Sequence, residues 1–222
     1  MLPSNLCSSV FIWWPWGMGR FDQVEGFILT GGSSRRMGRD KALLEIGGAP
    51  LALRAARMLE PLVRRVTLIG QPERYAALGL TVVPDDEAGQ GPLGGIATAL
   101  RVSERDWNLV VGCDMPYLTA EWLEFLIAAA LPARADALIP RSAHGRDEPL
   151  CAMYHRRCGP TVSVELGLGI RKVTTGLAAL AVVTLPYENW KQFDSQGRLF
   201  KNMNTPEDYA EAKKELATDE HG

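Results

Sequence analysis

Short apolar runs alternate with segments of helical spacing from residue 24 onward. Four runs are almost continuously apolar and rich in β-branched residues, which is typical of strands that are covered on both faces of a sheet. These runs are residues 26–30, 66–70, 81–84 and 109–112. Because strands that alternate with helices build βαβ units, the pattern predicts an α/β fold with a mainly parallel sheet flanked by helices.

Start and stop signals define three of the helices. Pro61 is expected to end the first of them, and Thr119 is placed to cap the second. Thr205 followed by Pro206 is a typical helix start and precedes the third. The predicted helices cover residues 51–60, 121–130 and 209–216.

Residues 1–23 differ from the rest of the chain. Residues 10–16 (VFIWWPW) are apolar and aromatic, a proline interrupts them, and no Lys or Arg occurs in residues 1–19. This makes a poor signal peptide and is too short for a membrane span. We expect a disordered extension or an upstream misassigned start with Met18 as the true one, the alternatives being a partner-docking peptide and a packed extra strand. Nothing in the composition marks a second domain, so one domain is predicted over residues 24–222.

The composition excludes several classes of protein. With 222 residues, of which 46% are hydrophobic and 23% charged, the chain can bury a sizeable core and is neither disordered nor fibrous. A formal net charge of −2 gives no bulk positive field to hold nucleic acid or an anionic membrane. Four cysteines without a CxxC pair predict reduced thiols in a cytoplasmic protein.

The segment 29–41 (LTGGSSRRMGRDK) follows the first predicted strand. Gly31 and Gly32 allow a sharp turn whose backbone N–H groups point at an anion, and Arg36 and Lys41 supply positive charge. The spacing matches neither a Walker A loop nor a dinucleotide fingerprint. The segment therefore predicts a phosphate cradle, the alternative being an ordinary solvated turn.

A pair of acids follows the third predicted strand. Asp85 and Asp86 precede a glycine turn that includes Gly94 and Gly95. A carboxylate at a strand end can hydrogen-bond a base or a ribose, and the glycines let a helix begin against that ligand. A turn with an Asx cap is the alternative.

A lone acid follows the fourth predicted strand. Asp114 comes directly after Cys113, which we interpret as a small buried hydrophobic residue. Mg²⁺ usually takes one or two protein carboxylates together with waters and substrate oxygens, so a single Asp114 is sufficient to hold it. The alternative is that Asp114 caps the next helix.

Together these three strand ends predict a site for a nucleoside triphosphate and magnesium. Ligands of open α/β sheets bind beyond the carboxyl ends of the strands, where the three segments are expected to converge. A nucleophilic hydrolase is disfavoured because no GxSxG motif occurs.

Five motifs occur in one order along the chain: GGSSRRMGRDK, GPLGG, CDMPYL, EPLCAMYH and NMNTPEDY. From residue 24 to its end the chain resembles the molybdenum cofactor guanylyltransferases of the MobA type. The resemblance implies a single-domain, Rossmann-like nucleotidyltransferase fold. It also implies transfer of GMP from GTP to molybdopterin, with Mg²⁺ as cofactor and diphosphate released. A nucleotide-binding half over residues 24–118 and an acceptor-binding half over 119–216 are expected.

The resemblance assigns roles to individual residues. Catalytic roles are expected for Lys41, Arg36 and Asp114, with Asp114 also holding the metal. Nucleotide contacts are expected at Leu29, Thr30, Gly31, Gly32, Lys41, Asp85 and Asp114. Acceptor contacts are expected at Arg146, Glu148, Asn202 and Asn204. The two asparagines are equally well interpreted as stabilising a turn before the last helix.

Two positions in the first motif bear on the base. Thr30 stands where the family more often has Ala, and its hydroxyl is free to add a contact. Gly32, with Asp40 before Lys41, favours guanine, because related cytidylyltransferases tend to have Ala at the position of Gly32.

Two other functions are left open. A cytidylyltransferase or a sugar-nucleotide transferase uses the same chemistry, and a catalytically silent GTP-binding module belongs to a different class. The expected partners are GTP, molybdopterin and, transiently, the proteins that deliver molybdopterin and receive the finished cofactor. No nucleic acid or membrane partner is expected.

Overall fold

The computed structural model describes residues 20–30, 40–85 and 89–216. The predictions for the N-terminal extension up to residue 19 lie outside the described residues, as do those for Gly31, Gly32, Arg36 and Asp86. Phe21 is already part of the fold, since its N–H donates to the carbonyl of Leu62 at 2.7 Å and it forms a parallel bridge with Val63.

A seven-stranded sheet forms the centre of a single α/β domain. Its strands are β1 (Val24–Leu29), β4 (Val66–Ile69), β5 (Val82–Val83), β6 (Trp107–Gly112), β7 (Ala137–Pro140), β8 (Cys151–His155) and β9 (Val182–Leu185). Their order is β5-β4-β1-β6-β8-β7-β9, and a separate hairpin is formed by β2 (Glu45–Ile46) and β3 (Ala49–Pro50). The four predicted strands are confirmed, with ends that differ by one or two residues. The expectation of a mainly parallel sheet also holds, because only β8 is antiparallel to its neighbours β6 and β7.

Seven α-helices surround the sheet within the described part of the chain. They are α1 (Leu51–Leu59), α2 (Pro72–Tyr75), α3 (Pro92–Val102), α4 (Ala120–Ala130), α5 (Gly159–Gly167), α6 (Val173–Gly176) and α7 (Pro206–Leu216). The predicted cap is present, since the Thr119 hydroxyl accepts the N–H of Trp122 at 3.3 Å. None of the described helices is long and apolar enough to cross a bilayer.

The two faces of the sheet bury separate apolar clusters. Ile28 faces a cluster that contains Leu59 of α1 and Trp122 of α4. Its neighbour Phe27 faces the opposite cluster, which contains Leu93 of α3. Successive strand side chains point to opposite faces, so a strand covered on both sides is buried throughout. All six residues of β1 are buried, and its one charged residue, Glu25, pairs with Arg65 at 3.0 Å. Because helices cover both faces of the sheet, a ligand can reach it at the ends of the strands.

Gly26 of β1 packs directly against Leu59 of α1 and against Val63. A Cβ at this position would lie 2.8 Å from Leu59 Cδ2 and 3.0 Å from Val63 Cγ2. Gly26→Ala is therefore expected to lower the free energy of unfolding by about 1–3 kcal/mol through overpacking. The check is the urea midpoint at unchanged m-value. Gly167→Ala is the matched control, because nothing lies within 4 Å of its added Cβ; equal losses in both variants would contradict the packing argument.

Candidate active site

The predicted residues gather at the carboxyl edge of the sheet. Thr30 follows β1, Asp85 follows β5 and Asp114 follows β6. The ends of β1 and β6 are joined where the N–H of Cys113 donates to the carbonyl of Leu29 at 3.1 Å. Because these strands are parallel, their ends share one edge, as expected from the sequence.

Three polar side chains from distant segments meet at this edge. The Nζ of Lys41 donates to Asn204 Oδ1 at 2.8 Å and to Asp114 Oδ2 at 3.2 Å. The side chains of Lys41 and Asp114 are only 18% and 22% exposed, so the pair is less screened by solvent than a surface ion pair. The arrangement places a cation between two hard oxygen atoms, next to the segment that the sequence predicts to bind phosphates.

Asp114 is held through its backbone and does not cap a helix. Its carbonyl accepts the N–H of Met203 at 2.9 Å. The next helix, α4, is capped by Thr119, so the capping alternative for Asp114 is wrong. Burial raises the pKa of the Cys113 thiol far above its usual range, so this thiol is neutral at pH 7. Cys113 therefore packs as a buried hydrophobic residue, as predicted.

The segment that carries Asn204 is itself fixed by a cap. Asp208 Oδ2 accepts the N–H groups of Asn204 and Thr205, each at 2.9 Å. The Thr205 hydroxyl accepts the N–H of Asp208 in return at 3.2 Å. The hydrogen bond from the Asn204 N–H is the main cause that lowers the pKa of Asp208, which favours its ionised form. Asn204 thus takes part in the turn through its backbone while its side chain reaches Lys41.

The last helix is fastened to the Asp114 turn by a second set of contacts. The Tyr117 hydroxyl donates to Glu215 Oε2 at 2.7 Å. Arg198 pairs with Glu215 Oε1 at 2.6 Å and lies 5.0 Å above the centre of the Tyr117 ring. These contacts join α7 to the residues directly after Asp114, so both oxygens around Lys41 depend on the same packing.

A cavity of about 270 Å³ adjoins this centre. Its lining residues are Met115, Asp147, Glu148, Pro149, Leu150, Lys172, Val173, Thr174 and Asn202. Burial raises the pKa of Glu148 above its usual value. The buried Oδ1 of Asn202 has no hydrogen-bond partner among the described residues.

The structure thus brings two of the predicted acceptor residues, Glu148 and Asn202, to one cavity. Arg146 is different, because its side chain is exposed and is absent from the lining residues. Its carbonyl accepts from Ser142 in the same loop, and its charge is one of the influences that lower the pKa of Glu148.

Asp85 lies on the opposite side of the edge, against α3. Its Oδ1 accepts the hydroxyl of Thr98 at 3.3 Å. Gly94 and Gly95 lie in the first turns of α3, which begins at Pro92. A helix therefore begins close to Asp85, as expected, while the contact of Asp85 with a nucleotide stays a prediction.

Sequence reasoning missed the partners of Asp40. Asp40 Oδ1 accepts the N–H of Ala42, and its Oδ2 accepts from Arg74 at 3.1 Å and from the Tyr75 hydroxyl at 2.9 Å. The one available signal was Pro72, which starts a helix directly after a strand and so places these residues at the carboxyl edge.

The fold indicates the class of protein to which this chain belongs. The mainly parallel sheet with helices on both faces matches the fold of solved nucleotidyltransferase structures. The model of the MobA-like NTP transferase domain matches residues 26–180, so the chain belongs to that family.

Relatives cover nearly the whole domain. Similar proteins named probable molybdenum cofactor guanylyltransferase occur in Pelotomaculum thermopropionicum, with 36% identity over 86% of this chain and 92% of the relative, and in Pyrococcus furiosus, with 34% identity over 86% and 96%. The crystal structure of molybdopterin-guanine dinucleotide biosynthesis protein A from Archaeoglobus fulgidus superposes with a TM-score of 0.74 at 30% identity, covering 86% and 97% of the two chains. The 2-C-methyl-D-erythritol 4-phosphate cytidylyltransferase of Thermus thermophilus shares only the fold, with a TM-score of 0.61 at 14% identity over 85% and 96%.

Tyr117→Phe tests the attachment of α7. The variant keeps the ring under Arg198 but removes the hydrogen bond to Glu215, so the free energy of unfolding is expected to fall by about 1–2 kcal/mol. The amide of Met203 is expected to exchange faster with solvent, because α7 holds the segment that carries it. Tyr187→Phe, beside Trp190 and away from this contact, is the control. Unchanged exchange at Met203 would show that Asp114 is held without α7.

Proposed function

We propose that this chain transfers GMP from GTP to molybdopterin, forming molybdopterin guanine dinucleotide and releasing diphosphate. One observation carries the proposal: the Lys41 ammonium joins Asp114, from the expected nucleotide half (24–118), to Asn204, from the expected acceptor half (119–216). Family membership and the names of the relatives support the same reaction.

The reaction needs charge stabilisation more than proton transfer. A phosphate oxygen of molybdopterin attacks the α-phosphorus of GTP in line, and the bond to the bridging oxygen breaks as diphosphate leaves. That phosphate is already ionised at neutral pH, so no general base is required. Lys41 neutralises charge on the triphosphate, and Arg36 is proposed to do the same. Backbone N–H groups of Gly31 to Ser34, outside the described residues, are proposed to supply fixed dipoles.

The remaining nucleotide contacts are proposed from the resemblance and from position. Leu29 ends β1 and Thr30 follows it, while Asp85 follows β5, which is separated from β1 by the parallel strand β4. Gly32, outside the described residues, is proposed to favour guanine by allowing close backbone approach.

The donor set at this edge fits magnesium. Asp114 Oδ2 and Asn204 Oδ1 are hard oxygens that already share one cation, the Lys41 ammonium. Within the described ranges, no three His, Cys, Asp or Glu side chains form a metal cluster, and Mg²⁺ is commonly held by only one or two carboxylates. We therefore propose Asp114 as the protein carboxylate for Mg²⁺, which when bound would add positive charge beside the phosphates.

The cavity beside Asp114 is the proposed acceptor site. Glu148 offers a half-buried carboxyl group and Asn202 an unpartnered buried oxygen, and both suit the N–H groups of a pterin ring. Asn204 contacts the same ammonium as Asp114 and would lie between the two substrates. Arg146 is exposed and does not line the cavity, so the role proposed for it is limited to its positive charge beside the cavity.

The proposed setting is the cytoplasm, with transient contacts to proteins that supply molybdopterin and receive the dinucleotide. The free thiols of Cys113, Cys151 and Cys158 are consistent with a reducing compartment.

The nucleotide requirement tests this function directly. With purified protein, Mg²⁺ and molybdopterin, diphosphate release is expected with GTP and not with CTP or ATP. Release with CTP would make the chain a cytidylyltransferase on the same fold. Tight GTP binding without diphosphate release under any condition would make it a silent binding module.

Asp114→Ala tests the site itself. Loss of this carboxylate is expected to reduce turnover at least about 10³-fold, because the proposed metal and the Lys41 contact are removed together. Far-ultraviolet circular dichroism checks that the fold is kept. Asp136→Asn, which alters a carboxylate paired with Arg157 away from the site, is the matched control. Substantial Mg²⁺-dependent turnover in Asp114→Ala would overturn the assignment.

A further inference from the structure

Tyr75 joins two segments that are otherwise separate at the carboxyl edge. Its hydroxyl donates to Asp40 Oδ2 at 2.9 Å, and its ring lies with the Thr30 side chain against Gly70. Thr30 is in turn fixed to the end of β4, because its hydroxyl donates to the carbonyl of Ile69 at 2.8 Å. One phenol therefore links the residue that follows β1 to the residue that precedes Lys41.

The ring of Tyr75 is packed tightly in this position. Tyr75 is 3% exposed, and a Cβ on Gly70 would lie only 2.6 Å from its Cε2 and in contact with the Thr30 hydroxyl. Only a residue without a side chain leaves room at position 70 for both. Burial is the main cause that raises the pKa of Tyr75 to about 12, so its hydroxyl keeps its proton at neutral pH and remains a donor.

Asp40 connects Tyr75 to the helix that begins at Lys41. Its Oδ1 accepts the N–H of Ala42 at 3.0 Å and so caps the 3-10 helix Lys41–Leu43. Lys41 is the first residue of that helix, so the Asp40 cap restrains the backbone from which the Lys41 side chain extends to Asp114 and Asn204.

Two groups orient the second oxygen of Asp40, and they differ in strength. The Arg74 side chain is 52% exposed, and an ion pair with such an exposed partner contributes little. The Tyr75 hydroxyl is buried, and a buried hydrogen bond to a carboxylate is among the stronger kinds. Tyr75 is therefore the dominant restraint on Asp40.

We propose that Tyr75 is a positioning residue for nucleotidyl transfer, which through Asp40 holds the Lys41 ammonium at the Asp114 and Asn204 oxygens. The proposal rests on the proposed function for its effect on turnover. The contact chain itself, from Tyr75 to Asp40 to the Ala42 amide, does not depend on which substrate the site binds.

Tyr75→Phe is the central variant, since it keeps the ring and removes only the hydroxyl. We expect kcat/KM for GTP to fall about 10- to 100-fold, as for other small displacements of charged groups at a reacting centre. The KM for molybdopterin is expected to change less than twofold. Arg74→Ala is expected to stay within about threefold of the wild type. Tyr187→Phe is the matched control for loss of a tyrosine hydroxyl outside the site.

A double-variant cycle separates positioning from general loss of structure. In a Lys41→Ala background, Tyr75→Phe is expected to weaken equilibrium binding of Mg²⁺–GTP less than twofold, because the residue through which it acts is gone. If Tyr75→Phe weakened GTP binding equally in both backgrounds, or if Arg74→Ala matched its effect on kcat/KM, the proposal would be wrong.

Amide hydrogen exchange in the ligand-free protein tests the contact chain alone. The Ala42 amide is expected to exchange at least about fivefold faster in Tyr75→Phe, while the Trp122 amide, capped by Thr119, is unchanged. Faster exchange at Ala42 in a protein that shows no GTP turnover would reject the proposed function and keep the positioning role. Unchanged exchange at Ala42 would reject the positioning role whatever the activity.

Discussion

A half-buried ammonium group between two oxygens is the interaction on which the site depends. Lys41 donates to Asp114 and Asn204 at 3.2 and 2.8 Å, and a cation at this depth requires such partners because it has lost much of its water. The three residues come from the start of a short helix, the end of a central strand and the segment before the last helix. Most of the fold serves to bring these three segments to one point.

Each partner is held by contacts of its own. On one side Asp40 caps the helix that begins at Lys41. On the other side the carbonyl of Asp114 accepts the N–H of Met203, and α7 is fastened beside it through Tyr117. Restraints on both sides of the ammonium mean that its position is set before a substrate arrives, and preorganised charge of this kind is what phosphoryl chemistry requires.

The sheet itself contributes little to the choice of nucleotide and acceptor. A cytidylyltransferase of 14% identity has the same fold with a TM-score of 0.61, whereas relatives at 34–36% identity are named as guanylyltransferases. Because proteins of this one fold are named for different nucleotides and acceptors, we expect the residues that select the substrate to lie in the segments beyond the strand ends. In this chain those segments contribute Glu148 and Asn202 to the cavity that we propose as the acceptor site.

Four of the seven sheet strands, three of the helices and the strand-end positions of Asp85 and Asp114 could be predicted from the sequence. These follow from local periodicity, capping and turn chemistry, which need only neighbouring residues. Three features depend on long-range packing and could not be predicted from local sequence: the antiparallel direction of β8, the contact of Lys41 with Asn204, and the cap formed by Asp40, which Tyr75 holds. Lys41 and Asn204 are 163 residues apart, and which side chains meet over such a distance depends on how the helices pack on the two faces of the sheet.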